Sequence, residues 1–199
     1  MRNRSKTSEL ETKFPLLAIE GGCIVSKDAD VTVAFALELP ELFTLTSPEY
    51  EMMHAAWNKA VRVLPEYSIL HKQDWYIKEN YQAGFGRENL SFLNRSFERH
   101  FNERPFLNHS VYLYLTKTTR QRMAQQSDFS TLCRGSILPK EVKDKETVVR
   151  FLESVDQFER IINDSGMMKL VRLSADDICG TDGKRGLLDR YFTLSEAEQ

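Results

Sequence analysis

GTDGKRG, residues 180–186, sets three glycines around Lys184. Glycine followed by lysine is how many chains cradle a phosphate. A Walker-type loop reads GxxxxGK[ST] between a strand and a helix, so that backbone N–H groups and the helix dipole meet the phosphates. Counting back from Gly183-Lys184, Ile178 stands where the first glycine belongs. Arg185 stands where a hydroxyl should hold Mg²⁺. The preceding SADDICGTD reads as a helix end, not a buried strand, so a turn is the preferred reading.

The remaining chemistry-bearing residues scatter. His54, His71, His100 and His109 form no HExxH pair, the spacing that puts two imidazoles on one helix face. His100 and His109 flank a helix exit near Glu98 and Glu103, and a small metal-dependent or cysteine enzyme would need them to converge with Cys133. Arg134 beside Cys133 would lower its thiol pKa, but no local pattern assigns it a histidine. Asp28 with Asp30, and Asp176 with Asp177, sit at expected turns or helix starts, where aspartate serves the backbone. Cys23, Cys133 and Cys179 are far apart and unpaired in pattern, which disfavours a disulfide framework. Basic and aromatic residues interleave in NRSFERHFNERPF. There Arg95 and Arg99 are helix neighbours over an apolar underside, a ridge that could hold phosphate, acidic lipid or an acidic protein, although pairing with nearby glutamates on a solvated face is the preferred reading.

The elements that must position these groups follow from periodicity. Residues 1–13 are polar and read as a loose arm. Two short apolar runs around Gly21-Gly22 predict a hairpin, and Val31, Val33, Phe35, Leu37 and Leu39 alternate as a strand does. Ser47, Pro48 and Glu49 predict a helix start, with Met53, Trp57, Ala60, Val61 and Leu64 on one face. A strand follows through Ile69, Trp75 and Ile77. A helix carries Leu90, Leu93, Phe97 and Phe101. HSVYLYLTKT sets Val111, Leu113 and Leu115 against Tyr112 and Tyr114. Val148, Phe151, Leu152, Val155, Phe158 and Ile162 mark the clearest helix, and MMKLVRL a further strand. The order predicts an α+β domain over 14–173 with a ferredoxin-like split β-α-β core, an extra N-terminal strand or hairpin, an inserted helix and a C-terminal helical tail. Residues 174–199 read as a helical linker.

Bulk properties bound the function. The 199 residues suffice for one sizeable domain, and 27 basic against 29 acidic residues give a formal charge of -2. That balance makes nucleic acid an unlikely partner. No apolar run reaches a membrane span, and no apolar segment follows the polar N-terminus as a secretory signal requires. A cytoplasmic location is the expectation.

Several stretches together resemble a known family. KFPLLAIEGGCIVSKDADVTVAFALELPELFTLTSPEY, HKQDWYIKENY, SFLNRSFERHFNERPFLNHSVYLYLTKTT, STLCRGSILPKE and FERIINDSG resemble the N-terminal region of TraG-type conjugation ATPases. These belong to conjugative transposons and to the type IV secretion ATPase class, and the likeness runs from about Lys13 to YFTLS. The resemblance implies a non-catalytic assembly domain that docks a DNA-transfer motor to other apparatus components and sibling subunits, with a homo-oligomer in the full-length protein. It implies a site peripheral to the cytoplasmic side of the inner membrane, with membrane contact indirect. ATP and Mg²⁺ belong on this reading to a downstream P-loop domain, so no catalytic, cofactor or metal residue is expected here, and the chain is expected to end where the motor begins. Arg95, Arg99, Tyr112 and Tyr114 are candidate contacts. So are Leu187, Leu188, Tyr191 and Phe192, as an exposed apolar edge left by the missing domain. The alternative is a single-stranded nucleic-acid module, with Tyr112 and Tyr114 stacking bases on an open sheet. HSVYLYLTK lacks the glycine of the RNP1 pattern that would accompany it.

Overall fold

The computed structural model describes residues 15–81, 91–118 and 145–193. They form a mixed α+β structure with an antiparallel sheet. Strands β1 (Leu16–Glu20), β2 (Cys23–Ser26) and β3 (Val31–Glu38) come first, followed by helix α1 (Ser47–Val61) and strand β4 (Ser68–Asn80). Helix α2 (Phe92–Asn102) and strand β5 (Pro105–Lys117) follow, then α3 (Lys145–Asp164), β6 (Lys169–Arg172) and α4 (Ala175–Cys179). A two-stranded hairpin, β7 (Gly180–Thr181) with β8 (Lys184–Arg185), precedes α5 (Leu187–Thr193).

The main sheet runs β1-β2-β3-β5-β4, with β6 also paired to β3. β2 occupies the start of β3, Cys23 opposite Val33, and β6 its second half, Leu170 opposite Leu37. The pairing continues past β6 through the Leu173 N–H, which donates to the Ala34 carbonyl at 2.9 Å. The expected hairpin forms at Gly21 and Gly22, whose φ of 57° and 73° only glycine adopts without strain.

Two compact units divide the chain. The first takes the described residues up to His71 and from Leu113 onward; the second is Lys72–Tyr112. In the first, alternation and helical spacing converge on one core. Val33, Phe35, Leu113, Leu115, Phe151, Val155, Phe158 and Ile162 are fully buried, each large side chain contributing about 1.5–3 kcal/mol. Trp57 of α1 meets Phe158 of α3 with ring centroids 6.0 Å apart. The Asn163 amide closes the end of α3 onto β6: it donates to the Leu170 carbonyl at 3.2 Å and accepts the Leu170 N–H at 2.7 Å.

Helix α1 begins one residue earlier than its Ser-Pro-Glu sequence predicts. Thr46 is the cap, and its N–H and hydroxyl both donate to the Glu49 carboxylate, at 2.8 and 2.7 Å. These bonds hold the Glu49 carboxyl below its ordinary pKa.

Candidate interaction surface

The hairpin that prompted the phosphate question has another physical purpose. A side chain at Gly186 would strike the Gly180 N at 2.2 Å and the Ile178 carbonyl at 2.6 Å, so two backbone segments cross in contact there. Lys184 Nζ donates to Asp177 Oδ1 at 2.8 Å, and Asp177 Oδ2 accepts the Ser174 N–H and hydroxyl. These bonds, the lysine's first, hold the Asp177 carboxyl down at about 2. The glycines permit a tight crossing, and the lysine closes a capping box around α4.

The second unit builds a different surface. Period-two alternation places Asp74 and Tyr76 on one face of β4 and Trp75 on the other. Trp75 is buried, with the Tyr112 ring edge-on at 5.6 Å. On the opposite face, Asp74 accepts a bond from His109 Nε2 at 2.9 Å and bonds from Lys72 Nζ at 2.7 and 2.6 Å. The Asp74 carboxyl is lowered from its ordinary value, first by Lys72 and then by His109. Tyr76 lies flat on the His109 ring, centroids 4.5 Å apart, and Asn108 donates to Glu79 at 3.0 Å. This group clamps β4 to β5. It presents an aromatic–imidazole stack to solvent, Tyr76 being 63% exposed. Sequence reading missed it because its members lie some thirty positions apart.

Helix α2 is the unusual element. Ser91 caps it, accepting the Asn94 N–H at 3.3 Å. Its spacing makes one apolar stripe of Leu93, Phe97 and Phe101, yet no residue of the helix is buried. Phe92, Leu93 and Phe97 are 82%, 76% and 62% exposed. Phe101 meets Phe97 at 4.4 Å and the edge of Tyr81 at 6.4 Å. The expected apolar underside is thus an outward face.

Of the cations expected to form a ridge, Arg99 donates to Glu103 at 2.9 Å, while Arg95 makes no ion pair among the described residues. His100 turns to the Phe101 ring, 5.3 Å away, and His109 to Asp74; each has its own neighbour. Cys133 lies outside the described residues. Cys23 is buried and Cys179 exposed.

Of the remaining candidates, Tyr114 and Leu187 need correction. Tyr114 is buried, between the His71 ring at 5.7 Å and the Tyr191 hydroxyl at 3.5 Å from its own. Leu187, expected on an exposed edge, is also buried, because α5 packs beside α4. Leu188 is half-buried, and Tyr191 is 43% exposed. The Phe192 side chain lies outside the described residues. Tyr112 is half-buried against Trp75.

Among the described residues, burial raises one carboxyl, that of Glu159, with Arg172 opposing the shift and Asp156 adding to it. Arg172 donates to Asp156 at 3.1 Å and approaches the Cys23 sulfur at 3.9 Å. No helix among the described residues is long and apolar enough to cross a membrane.

Residues 3–55 match the model of the family DUF3875, described as a domain of unknown function with a B. Theta gene description. No curated protein matches the chain.

Proposed function

We propose that this chain is an assembly domain of a TraG-type conjugative-transfer ATPase of the type IV secretion class, docking the motor to other transfer components. The observation that carries a docking role is the outward face of α2. A short helix in water does not keep three large apolar side chains on one stripe for its own stability. Anchors at this spacing are what a helix offers to a partner. The extended sequence likeness supports the conjugation setting. ATP and Mg²⁺ belong, on this reading, to a P-loop domain elsewhere in the parent protein. The work is done at the cytoplasmic side of the inner membrane.

The same reading treats β3, α1, β4, β5, α3 and β6 as a ferredoxin-like core. The sequence positions of α1, between β3 and β4, and of α3, between β5 and β6, support that reading. β1 and β2 extend the sheet beyond that plan, and α2 lies between β4 and β5 in sequence. The nucleic-acid alternative is disfavoured by the burial of Tyr114, since base stacking needs an open ring.

Two measurements test the proposal. Deleting the coding segment for this chain from a donor cell is expected to abolish transfer of a conjugative element, and wild-type complementation to restore it. Transfer at normal frequency without it overturns the reading. Calorimetric titration of the purified chain with Mg-ATP is expected to give no binding heat. Micromolar affinity would put nucleotide chemistry in this chain and defeat the non-catalytic role.

A further inference from the structure

We propose that Glu159 makes the junction of α3 with β6 a proton-operated clasp: as a carboxylate it competes with Asp156 for Arg172, and as a neutral carboxyl it leaves Arg172 to Asp156. The inference concerns the first unit and stands apart from the docking role above.

Two side chains of α3 tie it to β6. Asp156 accepts from Arg172 at 3.1 Å, and Asn163 exchanges two bonds with Leu170. Glu159 stands between them in sequence, and helical spacing puts all three on one face. Its side chain is half-buried, yet its carboxylate makes no hydrogen bond or ion pair among the described residues. Lost hydration with no bond to replace it disfavours the charged form.

One guanidinium thus serves two carboxylates. The other amino group of Arg172 points to the Cys23 sulfur of β2, 3.9 Å away. The Asp156 side chain is 58% exposed and keeps its water, so Glu159 is the carboxylate that gives up its charge. α1 meets this stretch of α3 through Trp57 on Phe158, which adds no charge. Burial holds the Glu159 carboxyl above its ordinary value, with Arg172 opposing and Asp156 adding to the shift. A group raised in the folded chain contributes stability that is complete below the unfolded value, near 4.3 for glutamate, and is lost as pH rises through the folded one. The clasp is therefore firm in mild acid and looser toward neutral pH. What it holds is β6, a strand of four residues paired to β3.

The test is carboxylate NMR of the full chain through an acid titration, with native-state amide exchange at Leu170 and Leu173 beside it. The Glu159 signal, assigned by its loss in Glu159→Gln, is expected to titrate above the ordinary glutamate value. Asp156→Asn is expected to move that midpoint down, by freeing Arg172 and removing a like charge, and Arg172→Gln to move it further up. Protection of the two amides, corrected for intrinsic exchange rates, is expected to fall from about pH 4 to about pH 7. The loss should reach about tenfold for each pH unit that separates the midpoint from the ordinary value. Glu159→Gln keeps the shape of the side chain and cannot ionise, so its protection is expected to hold across that range. A Glu159 midpoint at or below the ordinary value overturns the inference, as does one that Asp156→Asn leaves unmoved. Equal loss of protection in the wild type and Glu159→Gln overturns it too.

Discussion

The apolar helix stripes of the two units are used in opposite ways. In the first, Phe35, Phe151 and Phe158 are wholly buried, and α3 turns an unbroken apolar stripe inward. In the second, α2 carries a stripe of similar spacing and buries none of it; Trp75 and Val111 are the buried apolar residues of that unit among those described. The same periodic pattern therefore means core in one place and available surface in the other. What differs is the rest of the unit. The first supplies a sheet and neighbouring helices to cover the stripe, whereas the second has little mass for it to pack against.

Substitutions along the two stripes sharpen that contrast. Phe158→Ala is expected to cost about 3–5 kcal/mol, as a large cavity in a packed core does. Phe97→Ala is expected to stay within roughly 0.5 kcal/mol. Urea denaturation of both variants checks this, and equal losses would mean that α2 is structurally packed after all.

Next in size is Gly186→Ala in the first unit, which forces apart backbone atoms in contact. It is expected to cost more than about 1 kcal/mol, measured by thermal melting. Ser174→Ala removes the cap of α4 and is expected to cost about 1 kcal/mol by the same measurement.

The smallest effect is a pH response. The folded Asp177 carboxyl titrates at about 2, below its unfolded value near 3.9. Its contribution to stability is therefore complete above about pH 4 and is lost as pH falls toward 2. Carboxylate NMR should place its midpoint there, and Lys184→Ala should move the midpoint upward. A midpoint unmoved by Lys184→Ala would show that the lysine does not hold this carboxylate in solution.

What was legible in the sequence was what local physics decides. The Gly21-Gly22 turn, the α3 stripe and the β3 alternation follow from the backbone freedom of glycine and from the repeats of helix and strand. The departures are long-range. Alternation in β5 assigns Tyr112 and Tyr114 to one face, but it cannot announce that Tyr191 arrives from the chain's other end to cover Tyr114. Leu187 reads as a linker residue until α4 is known to lie beside α5. The Asp74–His109 clamp depends on the register of two strands separated by α2, which no local pattern encodes. Periodicity in α2 correctly gives an apolar face and is silent on what covers it.

The most direct measurement of the docking role is transfer frequency from a donor whose own copy of this chain carries Phe97→Glu, with protein abundance and melting temperature matched to wild type. Loss of an anchor on the outward face predicts a fall of about tenfold or more. Transfer at the wild-type frequency would contradict it.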